Sequence, residues 1–195
     1  MTMPQFPSLP ETAHLTDLLV RFPKNVRPLM GYINAVLRSD GQLSIAEREL
    51  IAAYVSALNA CRFCFGSHEI YARAFGVEAG VVESLLKDIS TAKVDDRLKP
   101  IFAYVKELNS LPCRLTPAHA QAVWDAGHDE TALFEAVEVA GVFNLMNRMI
   151  EGGGVNFDYA AEPEKHTIAA GDAEAMANSY LRYADRIEAL VAQKP

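Results

Sequence analysis

The sequence CRFCFGSH, at residues 61–68, contains two of the three cysteines of the chain and one of its five histidines. A helix turns about 100° per residue, so Cys61, Cys64 and His68 are expected to share one helix face. This arrangement brings two thiols and an imidazole within side-chain reach of one another. A thiolate with a second thiol and a base beside it is typical of a redox site.

The segment before this stretch predicts a helix that packs beside it. Ser44 and Glu47 form a capping-box pattern, which predicts a helix over residues 45–58. Residues 59–60 are expected to break this helix, and a second helix is predicted over residues 61–75. The two cysteines therefore lie in the first turn of the second helix.

That position has a chemical consequence for the cysteines. The free N–H groups and the positive end of the helix dipole favour a thiolate, so a lowered thiol pKa is expected. If the two helices pack antiparallel, Glu49, twelve residues before Cys61, returns alongside the motif. The pattern predicts a proton relay from Glu49 through His68 to Cys64, directly or through a water molecule.

The rest of the chain also has helical periodicity. No segment alternates apolar and polar residues over a useful length, so the predicted fold class is all-α. Further helices are predicted over residues 11–22, 26–38, 78–89, 95–109, 117–127, 130–150 and 171–192.

A weak internal repeat accompanies this pattern. Residues 75–86 resemble residues 126–137, at an offset of 51 positions, which is compatible with two helical halves packed together. The length of 195 residues fits one domain over residues 1–195. Its core is predicted at about 26–155, between an N-terminal arm (1–25) and a C-terminal arm (156–195).

The composition excludes several classes of protein. Half of the residues are hydrophobic and the formal net charge is −7 without a basic cluster, which argues against binding to nucleic acid or to anionic membranes. Three cysteines do not form a secreted disulfide framework, and the first residues lack the pattern of a signal peptide. The apolar stretch 131–150 carries Glu135, Glu138 and Arg148, so we expect no membrane span and a cytoplasmic location.

Other interpretations of the cysteine pair remain open at this point. Cys61 and Cys64 could be small buried hydrophobic residues. With His68 they could also bind zinc, with Cys113 as a fourth ligand, although Cys113 stands alone in the sequence. A third alternative is a redox-sensing or oligomeric binding module in which the pair acts as a switch. A thioredoxin-like site is disfavoured because no strand precedes Cys61.

The residues around the motif also resemble a known family. ELIA at residues 49–52 and SALNAC at residues 56–61, together with Cys64 and His68, resemble the alkylhydroperoxidase D (AhpD-like) branch of the carboxymuconolactone decarboxylase family. The similarity is greatest over residues 42–76. It is fainter further on, where FN at 143–144 and Asn147-Arg148 are similar to the second half of those proteins.

The resemblance implies an all-helical fold that assembles into trimers or hexamers and needs no cofactor or metal. It implies reduction of hydroperoxides, with Cys64 attacking the peroxide and Cys61 resolving the sulfenic acid as a disulfide. Glu49 and His68 would form the proton relay. An external dithiol, in this family a lipoyl-bearing protein, would reduce the disulfide.

Two further points bear on this expectation. The best-known members have a histidine immediately before the second cysteine, where this chain has Phe63. The decarboxylase members lack the cysteine pair, so decarboxylation is disfavoured. Asn147 and Arg148 are expected to form hydrogen bonds near the site or across a subunit interface.

Overall fold

The computed structural model describes residues 4–160, 176 and 178–193, and within them the fold is all-α, as predicted. Nine α-helices follow one another along the described chain. They are α1 (Leu15–Arg21), α2 (Val26–Arg38), α3 (Ile45–Leu58), α4 (Arg62–Ala74), α5 (Val81–Lys87), α6 (Lys99–Leu108), α7 (Pro117–Asp125), α8 (Glu130–Gly153) and α9 (Ser179–Ala192).

The helix α3 lies at the centre of the fold. Its sequence is apolar on almost every side, and residues 48–56 are all buried. A helix that is apolar all round is stable only when neighbours surround it. Here α4 provides the largest contact, α8 covers another side, and α2, α5 and α6 complete the enclosure.

Local signals set the start of this central helix. Ser44 accepts a hydrogen bond from the backbone N–H of Glu47, and the Glu47 carboxylate accepts one from the N–H of Ser44. The predicted capping box is therefore present. Asp129 caps α8 in a similar way by accepting from the N–H of Ala132.

Three helices begin later than predicted, the first being α1, which was predicted over residues 11–22 and spans Leu15–Arg21. The helix predicted over residues 78–89 is confined to α5, because Gly80, at a φ of 79°, lies just before its first turn. The helix predicted over 95–109 begins with a 3-10 turn at Asp96–Leu98 and becomes α-helical at Lys99. Of the helix predicted over 171–192, residues 171–175 and 177 lie outside the described residues.

The two copies of the internal repeat share one backbone feature. Gly76 and Gly127 both adopt positive φ, at 97° and 85°. Each closes a helix in a left-handed conformation that glycine adopts readily. The repeated pattern thus encodes the same helix ending at both places.

The buried tyrosines predict how stability depends on alkaline pH. Burial raises the pKa of Tyr54 to about 12, with a smaller contribution from Glu107, and burial also raises the pKa of Tyr183 to about 12. The unfolded chain loses these protons near pH 10 and the folded chain holds them, so stability should fall as pH rises from about 10 to about 12. Thermal unfolding followed across this range measures the slope.

Tyr54→Phe is the matched variant for this effect. Among the described residues, no group forms a hydrogen bond with the Tyr54 hydroxyl, so phenylalanine should be tolerated at neutral pH. The variant should lose less stability on alkalinisation than the wild type. An unchanged slope would contradict the assignment to Tyr54.

Candidate active site

The turn between α3 and α4 positions the cysteine pair. Ala60 adopts a φ of 56°, its N–H donates to the carbonyl of Ala57, and the N–H of Cys61 donates to the carbonyl of Ser56 at 2.9 Å. These two bonds define a Schellman motif, with alanine where glycine is usual. The left-handed alanine costs about 1–2 kcal/mol. The turn reverses the chain at once and makes Cys61 the N-cap residue of α4.

Both cysteines are reduced and buried. Cys61 is 0% exposed and Cys64 is 4% exposed. Their thiols are close enough to form a hydrogen bond with each other. They belong to a small apolar cluster, separate from the main core, that includes Phe63, Ile150 and Val155. The site therefore holds two adjacent thiols among largely apolar side chains.

The expected lowering of the thiol pKa is wrong for Cys64. The hydrogen bond with Cys61 raises the pKa of the Cys64 thiol, and burial raises it further. A hydrogen bond from Asn147 lowers the Cys64 pKa, but by less than Cys61 and burial raise it. In the resting pair, Cys64 is thus held as a thiol, and a base must take its proton before it can act as a nucleophile.

The structure places Glu49 beside His68. Nδ1 of His68 lies 2.6 Å from Oε2 of Glu49, which is 0% exposed. Because an ionised carboxylate only accepts hydrogen bonds, Nδ1 carries a proton and Nε2 is left as the nitrogen that can accept one. The ring of His68 is also held edge-on against Phe143, with centroids 4.3 Å apart. Contact between α3 and α4 thus fixes both the orientation and the tautomer of the imidazole.

Arg38, the last residue of α2, was not predicted from the sequence. Its Nη1 lies 2.5 Å from Oε1 of Glu49, and both side chains are fully buried. The rings of Tyr71, Phe75 and Tyr180 surround the guanidinium at 5.0 to 5.6 Å. In the sequence, Arg38 looks like an ordinary basic residue at a helix C-terminus, where the helix dipole favours a positive charge.

Two partners explain the charge state of Glu49. Burial alone would raise the pKa of the Glu49 carboxyl, but its interactions with His68, followed by those with Arg38, hold this pKa below its ordinary value. Glu49 is therefore a carboxylate at neutral pH. A buried carboxylate between a cation and an imidazole is suited to orienting the imidazole and stabilising its protonated form.

Cys64 and His68 line one cavity of about 660 Å³. The other walls come largely from the regions predicted to be terminal arms: His14 before α1, Tyr159 after α8, and Tyr180 and Tyr183 on α9. A Cβ atom at Gly66 would lie 2.9 Å from Cβ of Tyr159, so the absence of a side chain there allows this close approach. No local sequence signal marks these wall residues.

Phe63 lies in an aromatic cluster beside the cysteines. Its ring centroid is 5.0 Å from that of His14 and 5.1 Å from that of Tyr159. The backbone N–H of Thr16 donates to Nδ1 of His14, so Nε2 carries the proton that is shared with the Tyr159 hydroxyl at 3.1 Å. The chain thus has an imidazole next to position 63, contributed by a distant segment.

The remaining candidate residues are separated by the structure. Asn147 is buried and within hydrogen-bonding reach of Cys64, whereas Arg148 is exposed. Cys113 is also exposed, unlike the buried pair. Among the described residues, no three His, Cys, Asp or Glu side chains are grouped so as to hold a metal ion.

None of the helices in the described part of the chain is both long and apolar enough to cross a membrane. No curated protein matches the chain. A family model does match: residues 23–107 fit the carboxymuconolactone decarboxylase family.

Two solved structures have a similar fold. An uncharacterized peroxidase-related protein from Ralstonia eutropha JMP134, described as an alkylhydroperoxidase AhpD core, superposes with a TM-score of 0.65 at 22% identity, over 71% of this chain and 73% of the other. An uncharacterized peroxidase-related protein from Silicibacter sp. TM1040 gives a TM-score of 0.64 at 21% identity, over the same shares of the two chains. Residues 23–107 thus match the model of the carboxymuconolactone decarboxylase family, and the helical fold around them is AhpD-like.

Proposed function

We propose that the protein is a thiol-dependent hydroperoxide reductase that uses Cys64 and Cys61 with a proton relay formed by His68 and Glu49. One observation carries this proposal: Cys64, in contact with a second thiol, lines the same cavity as an imidazole that is hydrogen-bonded to a buried carboxylate. Nucleophile, resolving thiol and oriented base are the three groups that such a reaction needs.

The first step oxidises Cys64. His68 accepts the Cys64 proton, directly or through a water molecule, and the thiolate attacks the terminal oxygen of the hydroperoxide. An S–O bond forms while the O–O bond breaks, and the departing alkoxide takes a proton to leave as an alcohol. The sulfur loses two electrons and becomes a sulfenic acid, and the peroxide gains them.

The second step forms a disulfide. The Cys61 sulfur attacks the Cys64 sulfenic acid, an S–S bond replaces the S–O bond, and the hydroxyl leaves as water with the Cys61 proton. The close approach of the two thiols in the reduced form supports this step, because little movement is needed. An external dithiol, which we propose is carried by a lipoyl-bearing protein, restores both thiols and becomes a disulfide itself.

The proposal also covers the oligomeric state and the partners of the protein. We propose a homo-oligomer, a trimer or hexamer, by analogy with the family. The formal charge of −7 gives no support to a nucleic-acid or membrane partner. The site as described uses side chains alone, so the proposal includes no cofactor.

Stopped-flow reduction of an organic hydroperoxide, with dihydrolipoamide as reductant, tests the proposal directly. The wild type should consume peroxide in proportion to dithiol oxidised. Phe63→His adds an imidazole beside Cys64, in the position typical of the family. Because His68 already supplies an acid and base, we expect this variant to raise kcat/KM by less than about tenfold.

Two results would contradict the proposal in different ways. Wild-type protein that forms the Cys61–Cys64 disulfide without turning over peroxide would favour a redox switch. A gain of about a hundredfold or more in Phe63→His would mean that His68 is not an effective base. Phe63→Tyr, which keeps an aromatic ring, is the matched control and should leave the rate nearly unchanged.

A further inference from the structure

A buried amide lies next to the reacting sulfur. Asn147, on α8, is fully buried and within hydrogen-bonding reach of Cys64. Its Nδ2 donates to the hydroxyl of Ser56 at 3.2 Å, and its Oδ1 accepts from Nδ2 of Asn59 at 2.8 Å. The amide therefore has one N–H on Ser56, a second N–H free to face the sulfur, and its oxygen directed away.

A ring of three amides fixes this orientation. Nδ2 of Asn144 donates to the backbone carbonyl of Ala140 at 2.9 Å and to Oδ1 of Asn109 at 2.7 Å. Asn109 in turn donates to Oδ1 of Asn59 at 2.9 Å, and Nδ2 of Asn59 donates to both Asn144 and Asn147. Since a carbonyl can only accept, Ala140 sets the direction of the whole chain of donors. Asn147 must present N–H, not oxygen, to Cys64.

Two groups near Cys64 oppose a negative charge on it. These are Cys61, the N-cap residue of α4, and Glu151 on α8, while the neutral Tyr159 lines the same cavity. His68 lines the same cavity wall and can take the proton. The amide of Asn147 has the opposite effect, because it is a hydrogen-bond donor that favours the thiolate form of Cys64.

We propose that Asn147 is a catalytic residue, whose N–H donates to the Cys64 sulfur and stabilises the negative charge on it as thiolate. The catalytic role rests on the proposed peroxidase function, whereas the hydrogen bond does not. The ring of Asn59, Asn109 and Asn144 acts indirectly, by holding the amide of Asn147 in its orientation. These three are positioning residues.

The test measures the acidity of Cys64 alone. Cys61→Ser and Cys113→Ser leave Cys64 as the single thiol, so the pH dependence of its alkylation by iodoacetamide reports its pKa. In this background Asn147→Leu removes the donor at nearly constant volume. We expect the Cys64 pKa to rise by about one to two units, since a hydrogen bond to a charged group is lost.

Asn144→Leu is the comparison variant, because it removes a half-buried amide from α8 but leaves Asn147, the donor to Cys64, in place. Because Asn144 acts on Asn147 only through Asn59, its loss should raise the Cys64 pKa clearly less than Asn147→Leu does. Asn59→Ala, which removes the amide bonded directly to Asn147, should give an intermediate rise. If Asn147→Leu does not fold, Asn59→Ala carries the test.

An unchanged Cys64 pKa in the folded variants would overturn the assignment, as would equal shifts in Asn144→Leu and Asn147→Leu. Failure of the peroxidase proposal looks different. In that case the wild type does not consume peroxide, while the alkylation profile still shifts in Asn147→Leu. The two outcomes are therefore measured separately.

Discussion

Cys64→Ser is expected to lower hydroperoxide consumption by roughly a thousandfold or more, because the residue that attacks the peroxide is lost. Cys61→Ser should behave differently. It keeps the attacking thiol, so it should consume about one equivalent of peroxide in a single fast phase and then stop as a sulfenic acid. Trapping with dimedone and mass spectrometry would locate that sulfenic acid on Cys64.

Cys113→Ser provides the control for these two variants. Cys113 is exposed and the paired cysteines are buried, so its loss should leave turnover unchanged. Full activity in Cys64→Ser would disprove the proposed chemistry. A sulfenic acid found on Cys61 would instead reverse the roles of the two sulfurs.

Arg38→Leu is expected to destabilise the protein by about 3–5 kcal/mol, because it leaves the buried Glu49 carboxylate without its cationic partner. The pKa of Glu49 should rise. Because less of Glu49 is then ionised, it should hold His68 less firmly in one tautomer. Urea unfolding measures the first effect, and the pH profile of peroxide reduction measures the second.

The sign of the pH dependence follows from the lowered pKa of Glu49. An ionised Glu49 stabilises the wild type at neutral pH, and this contribution is lost as pH falls through the ordinary range of a carboxyl group and below it. In Arg38→Leu this acid-induced loss should be smaller. Arg27→Leu, which removes an exposed pairing with Asp185 and Glu188, is the control and should change stability little. Equal effects of both substitutions would contradict the role given to Arg38.

The sequence predicted those features that depend on neighbouring residues. The limits of α2 and the capping box at Ser44 follow from local patterns of apolar and capping residues. The predicted helix break at residues 59–60 is also present. It is formed by the left-handed Ala60, not by the glycine that usually marks such a break in a sequence. Contact between Glu49 and His68 was predictable because one short turn forces α3 and α4 to run antiparallel.

Features that depend on distant segments were not predictable in the same way. Arg38, His14 and Tyr159 reach the site from three separate parts of the chain, and their spacing in the sequence has no period that links them to the cysteines. The expected thiol pKa failed for a related reason. The helix N-terminus is a local effect, but contact with Cys61 and burial outweigh it at Cys64.

The cavity also has a consequence for kinetics. Cys64 lines it, while Cys61 is 0% exposed, so an oxidant and a reducing dithiol would both have to reach the same sulfur by the same entrance. We therefore expect the two substrates to react there one after the other. The expected pattern is therefore double displacement, in which an excess of either substrate slows the half-reaction of the other and double-reciprocal plots are parallel.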